Sequence, residues 1–587
     1  MTTLFTAFDR QASLRRLVDE EFDVLVVGGG ITGAGVALDA ASRGLRTALV
    51  ERLDFASGTS SKSSKLVHGG IRYLQQREIG LVHESLTERH RLLRNAPHLV
   101  SPLSFLVPLF GKGGVVDKGL VRGYAMVLYM YDIAGGWKIG KMHKRVDAAE
   151  VSSRLPTLRT DRLVSGFLYY DARTDDARLT LAVLRTAVLD HGAVVVNYAR
   201  VSGFELGATG RVESVLVDVT EPRSPVDAPV PEKVRVRARC VVNATGVWGD
   251  EISLLADDHH APQLRPAKGI HITVPQAKLP CDIAAVVPVR GDSRSIFVVP
   301  WGDHVYLGTT DTDYSGSLDD PRLEAADVTY ILDAINAAVS TPISASDITG
   351  TWAGLRPLAT GAGNKRPPSA RTADLSRRHA VSVSPSGMVT ITGGKLTTYR
   401  RMAEDTVDVV VRELGSRARR SVTTKMALRG SLDLARARAD LAARGTRAGL
   451  DADILEQLAS RYGAEAGAVV ALCDDRPELA RRLDGGLPMI AAEVVYAARY
   501  EMAVCVDDFL DRRTRALLHD AQAALEAAGQ VAELLERELA WPDGRAGAEV
   551  AHFADLVERD LAAPRAVAQA VPAVAHAPSG AARKEDS

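Results

Sequence analysis

The stretch Val24–Glu51, VLVVGGGITGAGVALDAASRGLRTALVE, restricts the fold more than any other part of the chain. It reads as a strand, a glycine turn, a helix and a second strand that ends in a carboxylate. Gly28, Gly30 and Gly33 follow a run of Val and Leu with the spacing G-x-G-x-x-G. The first glycine permits a tight turn, the second lets backbone approach a pyrophosphate, and the third brings helix and sheet together. The helix that opens there directs N–H groups and its positive dipole end at phosphates. Glu51 stands about 20 residues further on, where an acidic side chain holds a ribose diol. A 2′-phosphate would meet a like charge there, so NADP is disfavoured and the choice lies between FAD and NAD.

With 587 residues, 46% of them hydrophobic and a quarter charged, the chain suits a globular protein of several domains. The formal net charge of −1 supplies no global field for nucleic acid. Cys240, Cys281, Cys473 and Cys505 are scattered, without C-x-x-C or Cys/His ligand spacing. No metal site is expected, and a reduced, cytoplasmic protein is. The N-terminus lacks a secretory h-region. Leu120–Trp137, the most apolar long stretch, is interrupted by Arg122 and Asp132 and falls short of a membrane span.

Residues 1–20 read as a polar, partly helical lead-in, and 21–415 as a nucleotide domain carrying an inserted substrate domain. Helical periodicity is predicted around Ile79–Leu93. Val100–Phe110, with prolines at 102 and 108, suits strands at the edge of a second sheet. Between Gly192 and Gly246, AVVVNYARV, VESVLVDVT, VRVRA and CVVNATG predict a β-meander inserted between two parallel strands. SIFVVP-WGD-HVYLGTTD predicts a hairpin. Residues 425–550, rich in Ala, Leu, Arg and Glu, read as a helical domain. Residues 555–587 are Ala/Pro-rich, and disorder is expected there.

VVNATG, residues 241–246, resembles the strand end of flavoprotein nucleotide domains and favours FAD. Taken together, GGGITGAGVALDAASRG, TSSKSSKLVHGGIRYLQ, VVNATGVW, AGLRPL and TITGGKLTTYR resemble the FAD-dependent glycerol-3-phosphate dehydrogenases. EMAVCVDDFLDRRTR resembles their helical domain, and the likeness runs in order over roughly residues 20–545. It implies an α/β fold: a Rossmann-like FAD domain, an inserted antiparallel substrate domain of the D-amino-acid-oxidase kind, and C-terminal helices. It further implies oxidation of sn-glycerol 3-phosphate to dihydroxyacetone phosphate by hydride transfer to flavin N5, with electrons passed to membrane quinone.

Such chemistry removes a proton from an alcohol, and histidine is the side chain best poised for that near neutrality. His271 in KGIHITV matches the family's base. His68, followed by two glycines, reads as structural or cofactor-adjacent. The substrate phosphate calls for several cations. Candidates are Arg72 in GGIRYL, Arg356 in AGLRPL, Lys395 in GGKLTTYR, and Arg377, with Arg378 beside it as the alternative. The resemblance places Arg356 near the reacting oxygen, and Arg72, Tyr73, Arg377 and Lys395 around substrate and flavin. Thr59, Ser60, Ser63, Ser64, Gly246, Gly394, Lys395, Leu396 and Thr397 join Gly28, Gly30, Gly33 and Glu51 as expected cofactor contacts.

Without a spanning helix or a second redox motif, quinone reduction implies a peripheral enzyme on the cytoplasmic face of the cell membrane. A homodimer is compatible with the chain. The rival readings are a flavin amino-acid oxidase or dehydrogenase of the same fold, an NAD dehydrogenase, and a flavin-binding scaffold without turnover.

Overall fold

The computed structural model describes residues 8–75, 78–111, 116–220, 232–289, 291–292, 294–359 and 378–570. The side chains of Arg72, Gln75 and Glu232 lie outside the description. Strand Glu21–Val27 pairs in parallel with Thr47–Val50 on one side and Glu232–Asn243 on the other. Val194–Val196 and Val389–Thr392 extend this parallel set. Val24, Leu25 and Val26 are fully buried, as in a strand covered on both faces. Helix Ile31–Ser42 packs between helices Asp176–Leu189 and Tyr399–Glu413.

The predicted meander is present as Ala199–Leu206, Val212–Val219 and the first half of Glu232–Asn243, and it lies as expected between two parallel strands, Val194–Val196 and the second half of Glu232–Asn243. VRVRA and CVVNATG form one strand. Its first half runs antiparallel to Val212–Val219 and its second half parallel to Glu21–Val27, with Arg237 facing both Ser214 and Glu21.

A second, ten-stranded sheet is antiparallel except where Ala284–Pro288 meets Val100–Phe110. The hairpin forms as expected, with Ser295–Trp301 and His304–Gly308 joined through Gly302 and Asp303. Strand Leu264–Pro275 lies between His304–Gly308 and Gly350–Ala359, so His271 faces Gly308 on one side and Trp352 on the other. Val100–Phe110 is interior, which corrects its expected place at an edge. It pairs along its length with Leu163–Thr174 but meets Ala284–Pro288 only at Phe105 and Leu106. Pro102 and Pro108 flank that short contact, where a missing N–H leaves no ladder bond unmade.

From Phe8 onward the lead-in is part of the body. Phe8 is fully buried against Phe55, and Arg10, on helix Arg10–Asp19, donates to Thr220 O (3.0 Å) and Asn197 O (3.2 Å). The C-terminal region folds into helices including Ala452–Tyr462, Ala491–Tyr500 and Ala521–Leu539. The tail expected to be disordered from 555 is helical to 570, in Arg545–Ala570, with Phe553, Val557 and Leu561 buried. Pro564 sits inside this helix. It cannot donate to the carbonyl four residues back, and Thr351 Oγ1 donates to that Asp560 oxygen instead (2.9 Å).

Candidate active site

The ends of the two parallel strands bring both glycine motifs together. A Cβ on Gly28 would lie 2.8 Å from Ala244 O, and one on Gly33 only 1.9 Å from Gly28 O. These glycines permit an approach that no side chain allows. Ile31 N–H, at the start of the glycine helix, donates to Ser60 Oγ (2.8 Å). A cavity of about 290 Å³ runs past Gly28, Gly30, Thr32, Glu51, Gly246 and Leu396. Gly33 serves helix packing, as the spacing predicts.

Glu51 Oε2 accepts from Gly29 N (2.6 Å) and Oε1 from Leu53 N (3.0 Å), while burial raises its pKa. Its carboxylate braces the turn as well as lining the cavity. A floor closed to any Cβ, a helix start and a carboxylate at one end fit a dinucleotide.

A second cavity of about 170 Å³ shares Thr59, Ser60, Pro357 and residues 393–396 with the first. Its wall also carries Lys62, Ser63, Ser64, His68, His271, Arg356 and Thr397. His271, 2% exposed, stacks on Trp352 at 4.7 Å between ring centroids, with an interplanar angle of 11°. Its Nε2 lies 3.0 Å from Ser64 Oγ. Burial, then the cations of Lys65 and Arg356, holds the His271 pKa well below its ordinary value, so the ring is neutral at pH 7. Arg356 Nη2 donates to Thr309 Oγ1 (3.0 Å) and Thr310 O (3.1 Å), and its Nη1 meets Asp311 Oδ1 at 3.3 Å. The fork is therefore held in place before any substrate arrives.

Lys395 Nζ lies 3.8 Å from the Tyr73 ring centroid and 3.3 Å from Ser85 Oγ. Lys395 reaches both cavities, whereas Tyr73 backs it from behind. Gly394, at φ +88°, leaves no room for a side chain beside Met402 Sδ. Thr397 Oγ1 bonds both the N–H and the carbonyl of His68 (3.2 and 3.3 Å), which gives His68 a backbone role on the wall. Thr59 Oγ1 is committed to Leu355 O (2.7 Å), and Ser63 Oγ to Asp176 Oδ2 (2.7 Å). Arg378 is exposed and pairs with Glu78 (2.8 Å). Arg377 and the Arg72 side chain lie outside the described residues.

Sequence reading missed the layer beneath this wall. Lys65, 2% exposed, has its Nζ 4.5 Å from the Trp352 ring centroid and 3.3 Å from Asp176 Oδ1. Burial, then Arg515, brings its pKa down to about 8 against the pull of Asp176. Arg515, from the C-terminal helices, bonds Asp176 (2.9 Å) and the carbonyl of Ser61. Arg513 clasps Asp54 with two bonds (2.6 and 2.9 Å), and Arg178 clasps Glu501 (2.8 and 2.9 Å). The available signal was the pair of lysines interleaved with serines in SSKSSK, alongside the arginine run in DRRTR.

Comparison with known proteins agrees with this geometry. Residues 23–400 match the FAD dependent oxidoreductase family, and residues 421–546 match the C-terminal domain of alpha-glycerophosphate oxidase. Glycerol-3-phosphate dehydrogenase 2 of Mycobacterium tuberculosis (strain ATCC 25618 / H37Rv) is 40% identical over 94% of this chain and 91% of its own length. Glycerol-3-phosphate dehydrogenase of Mycobacterium leprae (strain TN) is 39% identical over the same shares. The solved structure of the glycerol-3-phosphate dehydrogenase from Bacillus halodurans, complexed with FAD, superimposes with a TM-score of 0.77 at 30% identity. The match covers 95% of this chain and 98% of that one. With the FAD-type floor and the helical C-terminus both in place, the chain belongs to the glycerol-3-phosphate dehydrogenases of the FAD dependent oxidoreductase family.

Proposed function

We propose that this protein uses FAD to oxidise sn-glycerol 3-phosphate to dihydroxyacetone phosphate and passes the electrons to a membrane quinone. The observation that carries the reading is the wall where neutral His271, pre-set Arg356 and Lys395 face one small cavity joined to the glycine-lined one. Gly28–Thr32 and Glu51 would hold the pyrophosphate and ribose; Thr59–Ser64 and residues 393–397 would hold the ring system. When bound, flavin supplies the two-electron acceptor, taking hydride at N5.

The chain's own residues supply the rest. His271 Nε2, fixed by the Trp352 stack, takes the proton of the secondary hydroxyl, and Ser64 Oγ releases that position. Arg356 stabilises the negative charge that develops on the same oxygen. Lys395 and Lys62, with Arg72 and Arg377 as further candidates, seat the phosphate, whose charge of nearly two requires more than one cation. Such a set exceeds what a single amino-acid carboxylate needs. Among the described residues no helix is long and apolar enough to cross a membrane; in the reading proposed here, quinone is reached by peripheral attachment to the cytoplasmic leaflet.

Anaerobic mixing of the FAD-loaded protein with glycerol 3-phosphate should bleach the visible flavin absorbance, and a soluble quinone analogue should restore it. D- and L-amino acids should leave the spectrum unchanged. Flavin that stays oxidised with glycerol 3-phosphate would refute the substrate, and failure of quinone to reoxidise it would refute the acceptor.

A further inference from the structure

Helix Lys118–Ile133, KGLVRGYAMVLYMYDI, is apolar on two sides, and only one side meets protein. Val121, Tyr124, Ala125, Val127, Leu128 and Tyr131 pack on the core. Leu120, Met126, Tyr129, Met130 and Ile133 are exposed, Met126 and Ile133 by 61% and 62%. Trp137 and Met142 carry the patch past the helix end. Met126, Met130 and Ile133 recur at helical spacing and so share one face of the helix. Of the sixteen exposed large hydrophobic side chains among the described residues, seven fall between 120 and 142. That concentration separates this face from ordinary scattered exposure. A helix apolar all round is normally a buried one, so the outward side calls for a cover.

Charge decides which cover. Lys118, Arg122, Lys141, Lys144 and Arg145 are exposed over residues 117–145, against one exposed acid, Asp117. Asp132 is buried and bonded to His143 (2.6 Å), and Lys144 meets Glu150 (2.9 Å) just beyond the stretch. A second copy of the chain packed on this face by a twofold axis would bring the same cations together. An apolar stripe with Trp and Tyr and a rim of Lys and Arg instead suits the boundary between acyl chains and anionic headgroups.

We propose that the face running from Lys118 to Met142 is the docking surface for an anionic lipid bilayer. The inference deepens the reading above by naming the surface that peripheral attachment uses. The buried side of the same helix reaches the site: Tyr131 OH accepts from Gly69 N–H (2.9 Å) and donates to Asp171 Oδ2 (2.6 Å). Gly69 directly follows His68 on the cavity wall. Lipid on this face would bring a bilayer-dissolved acceptor to the flank of the site.

The test is co-sedimentation of the full-length, FAD-loaded protein with vesicles of phosphatidylcholine, with and without phosphatidylglycerol. The parent protein should bind the anionic vesicles and release in high salt. Met126→Glu/Ile133→Glu and Arg122→Glu/Lys141→Glu should each weaken that binding by about tenfold or more. Oxidation of glycerol 3-phosphate with a soluble dye should be unchanged, since these side chains are exposed. Variants that sediment like the parent, or a parent that ignores anionic vesicles, would overturn the proposal. So would a Met126→Glu/Ile133→Glu variant that turns a dimer into a monomer in sedimentation velocity while still binding vesicles. Vesicle binding through this face in a protein that fails to oxidise glycerol 3-phosphate would leave the docking surface standing and remove only the functional reading.

Discussion

The surroundings of His271 fit the base role proposed for it. Burial and two nearby cations keep the ring neutral, and its proton affinity rises only when substrate phosphate offsets those cations. Lys65 is one of the two. Below about pH 8 it is charged and lowers the His271 pKa. Replacing it with methionine removes that push and raises the His271 pKa. The acid limb of kcat/KM, set by protonation of His271, should therefore move to higher pH in Lys65→Met. The phosphate's own ionisation near 6 is common to both proteins and cancels in the comparison. Coincident limbs in the two profiles would show that Lys65 only fills space. His271→Ala should lower kcat by ~10²–10⁴-fold with the flavin still bound. His271 was legible as a candidate because it sits in a recognisable strand motif. Lys65 was not, because its importance comes from Trp352 and Arg515, distant in the chain.

At the scale of elements, local chemistry was read well and long-range context poorly. The glycine turn and the hairpin at Gly302–Asp303 are dictated by neighbouring residues, and both formed as expected. Val100–Phe110 was misplaced because prolines disfavour a central strand, unless the second neighbour pairs only between them. Residues 555–570, expected to be disordered, are helical because Phe553, Val557 and Leu561 find a core and Thr351 Oγ1 donates to the Asp560 carbonyl that Pro564 cannot bond; the rest of the Ala/Pro tail, 571–587, lies outside the described residues. Gly33 offers a direct check on the turn. An added methyl would collide with Gly28 O, so Gly33→Ala should cost roughly 1–3 kcal/mol by overpacking. The variant should purify with little flavin and melt at lower temperature. A yellow protein with unchanged melting would refute the close approach.

Across the whole molecule, buried ion pairs weld the C-terminal helices to the serine-rich loop under the site. Burial raises the pKa of Asp54, but Arg513 and then Arg512 hold it below its ordinary value; Lys65 and Arg515 do the same for Asp176, and Arg178 for Glu501. Depressed carboxylates contribute stability above their unfolded pKa of about 4 and lose it as pH falls through the lower folded value. Asp54→Asn leaves Arg512 and Arg513 without that charge and should cost about 3–5 kcal/mol at pH 7. The gap to the parent in urea midpoint should narrow as pH falls below 4, and FAD should dissociate faster. An equal gap at both pH values would mean that the pair contributes packing alone.

The order of motifs by itself determined the family and the glycine-lined nucleotide fold, and singled out His271 and Arg356 as candidates. Each rests on local backbone needs or on short contiguous patterns, which survive without knowledge of the fold. Only the tertiary structure decided that His271 is neutral, that Ser63 and Thr59 are committed to protein partners, and that the C-terminal arginines brace the loop. It alone exposed one side of Lys118–Ile133 while burying the other. Burial and ion pairing between residues hundreds of positions apart are set by how layers pack, and no pattern within a single segment encodes them.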